Sequence, residues 1–307
     1  MRSRMKSIKI LVSVAALAMA MRLVNPAELK ESLLSIPLSI LILVVISVFL
    51  SQLLSSYKWW LLASSGGISV PWSLAFKAYF FGMFVNCFGL GTIGGDVARG
   101  LVLGSPSRQK ATALASVFAD RVHGLTVLVG ICLTSMVAFG RGPIGGEFLI
   151  FLIVSLLAVV LGWYLGPAIA LRILPRGGAL HLKMQEIANV FPRKIATIAY
   201  LLAISLLFHL LQISTHQVMA YGFGIHIPWR TLLITIPVVN VLSTLPISWN
   251  GLGVRENGYV FFLTPLILSH EQAIAFGAMW LLATTTLSAI GGLISCFSSE
   301  IVGGSMT

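Results

Sequence analysis

The chain has 307 residues, of which 57% are hydrophobic and only 9% are charged, and its mean hydropathy is +0.97. A soluble domain carries about 25% charged residues, so a soluble fold of this composition would lack the polar side chains to cover its surface. We therefore expect an integral membrane protein. The net charge of +11 is interpreted as a topology signal and an attraction to anionic lipid headgroups, and no nucleic-acid binding is expected.

The N-terminal segment is basic and then apolar. Four basic residues within the first nine positions precede an apolar run at 10–21. This pattern predicts an uncleaved first membrane helix with the N-terminus inside. The alternative is a cleaved signal peptide, because Ala18-Met19-Ala20 resembles a signal-peptidase site.

Apolar stretches of about 20 residues or more predict full membrane spans. These lie at 8–24, 36–57, 111–139, 148–173, 195–221 and 271–296. The Lys and Arg residues of the connecting segments, with Lys58 counted among them, fall mainly on one side, as the positive-inside rule requires. That count requires the two segments interrupted by Gly, Pro and charge, 72–104 and 230–269, to return to the side from which they came. They are therefore predicted as re-entrant helical hairpins, the first opening inward and the second outward, with both chain termini inside.

A short sequence pattern occurs twice. Gly89-Leu-Gly91 recurs as Gly251-Leu-Gly253, an offset of 162 residues (251 minus 89). An interrupted hairpin precedes a long span in each copy, and an odd number of spans lies between the copies. We therefore predict a single all-α domain over 1–307, a polytopic helical bundle with an inverted repeat of about 72–173 and 230–296.

The first candidate site lies in the segment 86–100. It contains Asn86, Gly94, Gly95, Asp96 and Arg99. The crowded glycines predict a break in the helix at membrane depth, which must be buried in protein or line a wet cavity. A helix that restarts near Asp96 would aim its N-terminal N–H groups at a phosphate or carboxylate, with Asp96 as its cap and Arg99 as a further donor. The alternative is a structural pair of Asp96 with Arg99.

Asp120 and Arg121 form the second candidate site, inside the span 111–139. Ionisable side chains in a span face the bundle interior and find partners. Adjacent helical residues point about 100° apart, so these two are expected to serve different partners, Asp120 pairing with Arg99 or Arg255. Whether the pair binds a ligand or only holds helices together stays open.

The third candidate site follows the second Gly-rich break. It comprises Asn250, Gly251, Gly253, Arg255 and Glu256. Charged residues at a helix start in an apolar setting need a ligand or a partner. His209, Gln212 and His216 also share one face of the span 195–221, where they line a polar cavity or bond neighbouring helices. The pattern predicts no catalytic residue, no metal site and no cofactor.

These residues also carry a family resemblance. The chain resembles the flippase-like transmembrane family, the membrane region of lysylphosphatidylglycerol synthases, over essentially its whole length. The matching stretches are Phe80-Phe-Gly-Met-Phe-Val-Asn86, Gly94-Gly-Asp-Val-Ala-Arg99, Ser116-Val-Phe-Ala-Asp120-Arg121 and Pro246-Ile-Ser-Trp-Asn-Gly-Leu-Gly-Val-Arg-Glu256.

The resemblance implies a helical bundle with re-entrant pieces from both sides, in the cytoplasmic membrane of a bacterium or archaeon. It also implies movement of a phospholipid between leaflets. Because no aminoacyl-transferase domain follows the span 271–296, lipid aminoacylation is not expected. The function expected is translocation of a lipid or lipid-linked anionic headgroup, by a protein that is not an enzyme.

Three other functions remain open on the sequence. A membrane scaffold for a separate glycosyltransferase or lipid synthase would keep the ion pairs only for packing. An intramembrane enzyme acting on lipid carriers would need a nucleophile or metal set, and an ion-coupled transporter of small solutes would show the same repeat.

Overall fold

The computed structural model describes residues 14, 18–19, 21, 25–89, 91–140, 145–175, 178–245, 248–264 and 267–296. Over these residues the chain forms eleven α-helices and one π-helical turn, and it contains no strand. The predicted all-α class is therefore confirmed. The helices are α1 Pro26–Leu34, α2 Leu38–Ser65, α3 Trp72–Phe84, α4 Gly91–Gly104, α5 Lys110–Phe139, α6 Gly146–Ile173, α7 Ala179–Asn189, α8 Ile195–Tyr221, α9 Trp229–Thr244, α10 Val254–Leu263 and α11 His270–Cys296; the π-helical turn is Val85–Gly89.

Among the described residues, five helices are long and apolar enough to cross a membrane: α2, α5, α6, α8 and α11. Four of them begin and end within two residues of the predicted spans. The prediction for α2 was wrong at its C-terminal end, because the helix continues from the expected end at 57 to Ser65. It continues because Lys58 is buried against neighbouring helices and is not in a loop. The span predicted at 8–24 lies largely outside the described residues.

Both interrupted segments form a helix, a break and a second helix. In the first, α3 ends in the π-helical turn and α4 packs back against α3, so that a Cβ on Gly82 would lie 3.0 Å from Cβ of Arg99. In the second, α10 packs back against α9, and a Cβ on Gly258 would meet Val239 at 2.8 Å. The predicted broken helical hairpins are present, and their re-entrant orientation stays a prediction.

The distribution of buried side chains is that of a bundle in lipid. The central apolar core joins α2, α8, α9, α10 and α11, and includes Met219, Ile236, Tyr259 and Phe276. By contrast, α6 buries only Leu152 and Pro167. Much of α6 is exposed, and large apolar side chains such as Ile150, Val154 and Leu161 are on that surface, which lipid chains accept and water does not.

Candidate functional site

Three helices meet at a buried carboxylate. Asp120 of α5 lies 2.9 Å from the Nζ of Lys58 on α2 and 3.1 Å from the Nη2 of Arg99 on α4. All three residues are no more than 5% exposed. The prediction that Asp120 pairs with Arg99 or Arg255 is thus settled in favour of Arg99. Its second partner, Lys58, was not predicted.

Arg121 has a different partner, as predicted from its helical position. Its Nε and Nη2 each donate a 2.9 Å hydrogen bond to the carboxylate of Asp96. Asp96 also accepts a 3.2 Å hydrogen bond from Nε of Arg99. Lys58, Asp96, Arg99, Asp120 and Arg121 therefore form one connected network, which we call the first charged cluster. It holds three cations and two carboxylates, and its most accessible part is Arg121, whose side chain is 41% exposed.

Aromatic rings enclose the guanidinium of Arg99. Its Cζ lies 4.8 Å from the ring centroid of Trp59 and 4.9 Å from that of Tyr79. These rings are held in place, because Trp59 donates to the hydroxyl of Ser116 at 3.0 Å and Tyr79 donates to Gln52 at 3.1 Å. Arg99 is therefore a buried centre of the network, and its Nη1 alone has no hydrogen-bond partner among the described residues.

The predicted role of the first glycines was wrong. Helix α4 begins at Gly91 and not near Asp96, so Gly94 and Gly95 lie inside the helix and Asp96 is not its cap. The irregular backbone comes earlier, in the π-helical turn that contains Asn86. Gly95 instead permits close packing: its N–H donates to Oδ1 of Asn86 at 2.9 Å, and a Cβ there would collide with the carbonyl oxygen of Gly82.

The second break depends on backbone that side chains rarely adopt. Asn250, Gly251 and Gly253 have φ values of 52°, 78° and 80°, in the left-handed region that favours glycine. Glu256 then caps α10, because its Oε2 accepts the Gly253 N–H at 2.6 Å. Arg255 points elsewhere, with its Cζ 6.0 Å from the ring centroid of Trp280.

The two breaks touch each other. Nε1 of Trp249 donates to the backbone carbonyl of Cys87 at 3.4 Å. These positions are 162 residues apart, the same offset as that between the two Gly-Leu-Gly sequences. The spacing is that of the predicted repeat, and the inverted orientation of its two copies stays a prediction.

One face of α8 joins the first charged cluster to the second break. His209 donates from Nε2 to the carbonyl of Gly124 at 2.9 Å, and a Cβ on Gly124 would lie 3.7 Å from Nζ of Lys58. Further along α8, His216 accepts at Nε2 from the Tyr259 hydroxyl at 2.8 Å.

The ring of His216 also stacks on Trp280 at 4.7 Å, which places this end of the face beside the second break. Together with Ser205 and Gln212, both buried, His209 and His216 form what we call the polar seam. By helix geometry the seam is roughly 16 Å long.

His123 links α5 to α8, since its Nδ1 lies 3.2 Å from the hydroxyl of Ser205. Over the described ranges, no group of three or more His, Cys, Asp or Glu side chains is placed to hold a metal ion.

Two cavities lie apart from the first charged cluster. A polar cavity of about 850 Å³ at the ends of α6, α7 and α8 is lined by residues that include Ser65, Gln185, Asn189, Arg193 and Lys194. An apolar groove of about 520 Å³ lies beside α10, and Phe148, Leu242, Val254 and Phe261 are among its walls. The groove borders the helix that carries Arg255.

Lys58 is the site residue that the sequence interpretation missed. The available signal was its position well inside an apolar run, where a lysine needs a buried partner. Charge was instead taken to mark the end of the span, and that choice placed Lys58 in a loop.

Comparison with known proteins agrees with the sequence and the fold. The family model for the lysylphosphatidylglycerol synthase TM region matches residues 7–292. No protein of curated function matches the chain significantly. The five apolar helices and the match over nearly the whole chain identify an integral membrane protein of a family associated with membrane lipid handling. The chain belongs to the family of the lysylphosphatidylglycerol synthase TM region.

Proposed function

We propose that the protein translocates a lipid, or a lipid-linked molecule, with an anionic headgroup across the cytoplasmic membrane of a bacterium or archaeon. The observation that carries this proposal is the set of ionisable groups held among apolar helices, of which Lys58, Arg99 and Asp120 are buried. The first charged cluster and Arg255 lie at opposite ends of the polar seam. Each charge held among membrane helices is costly, so such groups are typical of a path for a polar substrate.

The proposed route follows that line. The headgroup enters beside Asp96 and Arg121, where the first charged cluster is most accessible. It moves along the polar seam on α8 and leaves past Arg255 and Glu256. Its acyl chains stay in apolar surroundings, and the groove beside α10 offers such a surface next to the second break.

An inverted repeat gives this route a physical rationale. Two similar half-structures of opposite orientation allow alternating access, because each can open towards its own side of the membrane. The same order of helix, break, helix and long helix in α3–α5 and in α9–α11 supports the proposal, as does the contact of Trp249 with Cys87.

A specific observation also favours the scaffold alternative. Lys58, Arg99 and Arg121 are each paired with a carboxylate in the first charged cluster. A closed network of this kind is also what a structural tie between helices requires. A protein of this class would copurify with a glycosyltransferase or lipid synthase and move no lipid by itself.

The two functions are separated by a transport assay on variants. Purified protein is reconstituted in vesicles that contain fluorescently labelled phosphatidylglycerol, and an impermeant reductant bleaches the outer leaflet. Arg121→Ala and Arg255→Ala each remove a charged donor worth about 1.5–3 kcal/mol, so we expect the transport rate to fall about tenfold or more. The exposed Arg230 supplies the matched control, and Arg230→Ala is expected to transport at the wild-type rate. Folded Arg121→Ala and Arg255→Ala proteins that transport at the wild-type rate would contradict the proposed route.

A further inference from the structure

Several polar groups around the second break have no hydrogen-bond partner among the described residues. Ser243 is 8% exposed and Ser248 is 5% exposed, and neither hydroxyl has a hydrogen-bond partner in the part of the chain that the structure describes. Nε of Arg255 is buried and unpartnered in the same way. A buried polar group left unsatisfied costs about 1–3 kcal/mol. Three such donors in one short segment are therefore a feature that the packing of the fold does not explain.

Two of these residues flank one glycine. A Cβ on Gly251 would lie 2.9 Å from Cβ of Ser243 and 3.3 Å from Nη2 of Arg255. The space between the serine and the guanidinium is thus one that any side chain at 251 would enter. Gly251 therefore lets Ser243 and the Arg255 guanidinium approach the same point of the backbone, and its φ of 78° fits the absence of a side chain.

The ion pairing of Arg255 differs from that of the arginines in the first charged cluster. Among the described residues, no carboxylate lies within ion-pair distance of its guanidinium. The neighbouring Glu256 is 3% exposed and is bound to the N–H of Gly253. The three cations of the first charged cluster, by contrast, are each bound to Asp96 or Asp120. Arg255 therefore differs from them in having donors available for a ligand.

We infer that Arg255 and Ser243, which meet at Gly251, form a binding site for the phosphate group of a phosphate ester, and we assign Ser248 to it as the other buried unpartnered hydroxyl of the same break. A guanidinium offers a planar fork of N–H donors that fits two phosphate oxygens. The two serine hydroxyls each donate to a further oxygen, and a bound phosphate neutralises the charge of Arg255. The assignment of a lipid as the source of the phosphate rests on the proposed function, whereas the binding of phosphate does not.

The two ends of the polar seam then have different roles. The second break binds the anion, and the first charged cluster ties α2, α4 and α5 together while its cations are paired. The residues that select the substrate would accordingly be Arg255 and its serines, and not Arg99.

The site is tested by calorimetric titration of the full chain, purified in a neutral detergent. Three probes separate the sources of the phosphate: dihexanoyl phosphatidylglycerol has phosphate and chains, glycerol 3-phosphate has phosphate alone, and dihexanoylglycerol has chains alone. The expected result is binding of phosphatidylglycerol at least about tenfold tighter than binding of dihexanoylglycerol, a difference that corresponds to about 1.4 kcal/mol. Binding of glycerol 3-phosphate as tightly as phosphatidylglycerol also supports the site, and assigns it to free phosphate esters.

Two variants test the residues. Arg255→Gln is expected to weaken phosphatidylglycerol binding about tenfold or more, because a charged donor is lost. Ser243→Ala is expected to weaken it about threefold to tenfold. Ser243→Ala also removes a buried unpartnered hydroxyl, so its melting temperature should equal or exceed that of the wild type. This variant keeps the test valid if Arg255→Gln fails to fold, and Arg230→Ala is the control for an arginine on the surface.

The inference is overturned if phosphatidylglycerol binds no better than dihexanoylglycerol, or if folded Ser243→Ala and Arg255→Gln proteins bind it with wild-type affinity. Its failure is distinct from failure of the proposed function. Phosphate binding that depends on Arg255 without lipid transport keeps the site and removes the transporter. Lipid transport that is unaffected by Arg255→Gln keeps the transporter and removes the site.

Discussion

Asp120 is the residue on which the first charged cluster depends. Its carboxylate is the common partner of Lys58 on α2 and Arg99 on α4, so three helices are joined at one buried group. Asp96 has a similar number of partners but lies nearer the surface, with its side chain 19% exposed. The two acids therefore differ in how much stability each is expected to contribute.

Asp120→Asn should destabilise the protein strongly. The change leaves the buried Lys58 without a charged partner and leaves Arg99 with Asp96 alone, and breaking a buried pair typically costs about 3–5 kcal/mol. Asp96→Asn is the matched control. It should cost about 1 kcal/mol or less, because the Arg121 side chain is partly exposed and an exposed ion pair contributes little to stability. Thermal unfolding in detergent, followed by tryptophan fluorescence, measures both. Equal losses in melting temperature would contradict the central position of Asp120.

A second variant tests the pairing with Lys58. Lys58→Met combined with Asp120→Asn removes the cation that Asp120→Asn alone leaves unpaired, so part of the lost stability should return. Contacting residues in one network typically show coupling energies of about 0.5–3 kcal/mol. Losses in a double-mutant cycle that are simply additive would show that Lys58 and Asp120 are not coupled.

The sequence indicated which charged side chains need partners, but it did not determine the geometry of their pairing. Asp120 was expected to pair with Arg99 or Arg255, and Asp96 with Arg99 as an alternative, because ionisable groups at membrane depth need partners; the pairing of Arg121 with Asp96 was not predicted. Lys58 was misplaced, because a lysine can end a span or pair inside it, and the choice depends on an aspartate 62 residues away in the chain.

Helix packing explains the glycines of α4. The prediction from sequence used the conformational freedom of glycine and placed the break among the glycines before Asp96, whereas the structure uses the missing side chain of Gly95 for contact with α3. Both uses leave the same signal in a sequence. The neighbouring helix decides between them, and its identity is not encoded locally.

Gly95→Ala should therefore separate α3 from α4. The added Cβ collides with the Gly82 carbonyl and with Oδ1 of Asn86, and such overpacking typically costs about 1–3 kcal/mol. Gly130→Ala in α5 is the control, since no atom lies within 4 Å of its added Cβ. That change should leave stability unaltered or raise it by up to about 1 kcal/mol. If both variants melt at the wild-type temperature, the close contact of α3 with α4 is not required.

The whole molecule is organised by its long helices, which were predicted well. Stretches such as 148–173 and 195–221 are apolar throughout, and lipid leaves a backbone of this length few alternatives to a helix. The arrangement of the short helices could not be read in the same way. Their positions depend on contacts between distant segments, such as that of Trp249 with Cys87.

The predicted topology places connections on defined sides of the membrane. Helices α5 and α6 each span about 40 Å or more by helix geometry, so Arg108 and Arg193, separated by these two spans, should lie on the same side. His226, one further span along at the end of α8, should lie on the opposite side. Single-cysteine variants at these three positions, in a chain with its own cysteines replaced, can be labelled in intact cells with an impermeant maleimide. Labelling of positions 108 and 226 from the same side would contradict the topology.

The claim at the centre of this account is that the protein moves lipid without a partner. The most direct measurement is the rate at which labelled phosphatidylglycerol crosses vesicles that contain only the purified wild-type protein, compared with protein-free vesicles. We predict exchange within minutes in vesicles with protein and little exchange in those without. Equal rates in both, with protein that remains folded and with several anionic headgroups tried, would contradict translocation and favour a scaffold for a separate synthase.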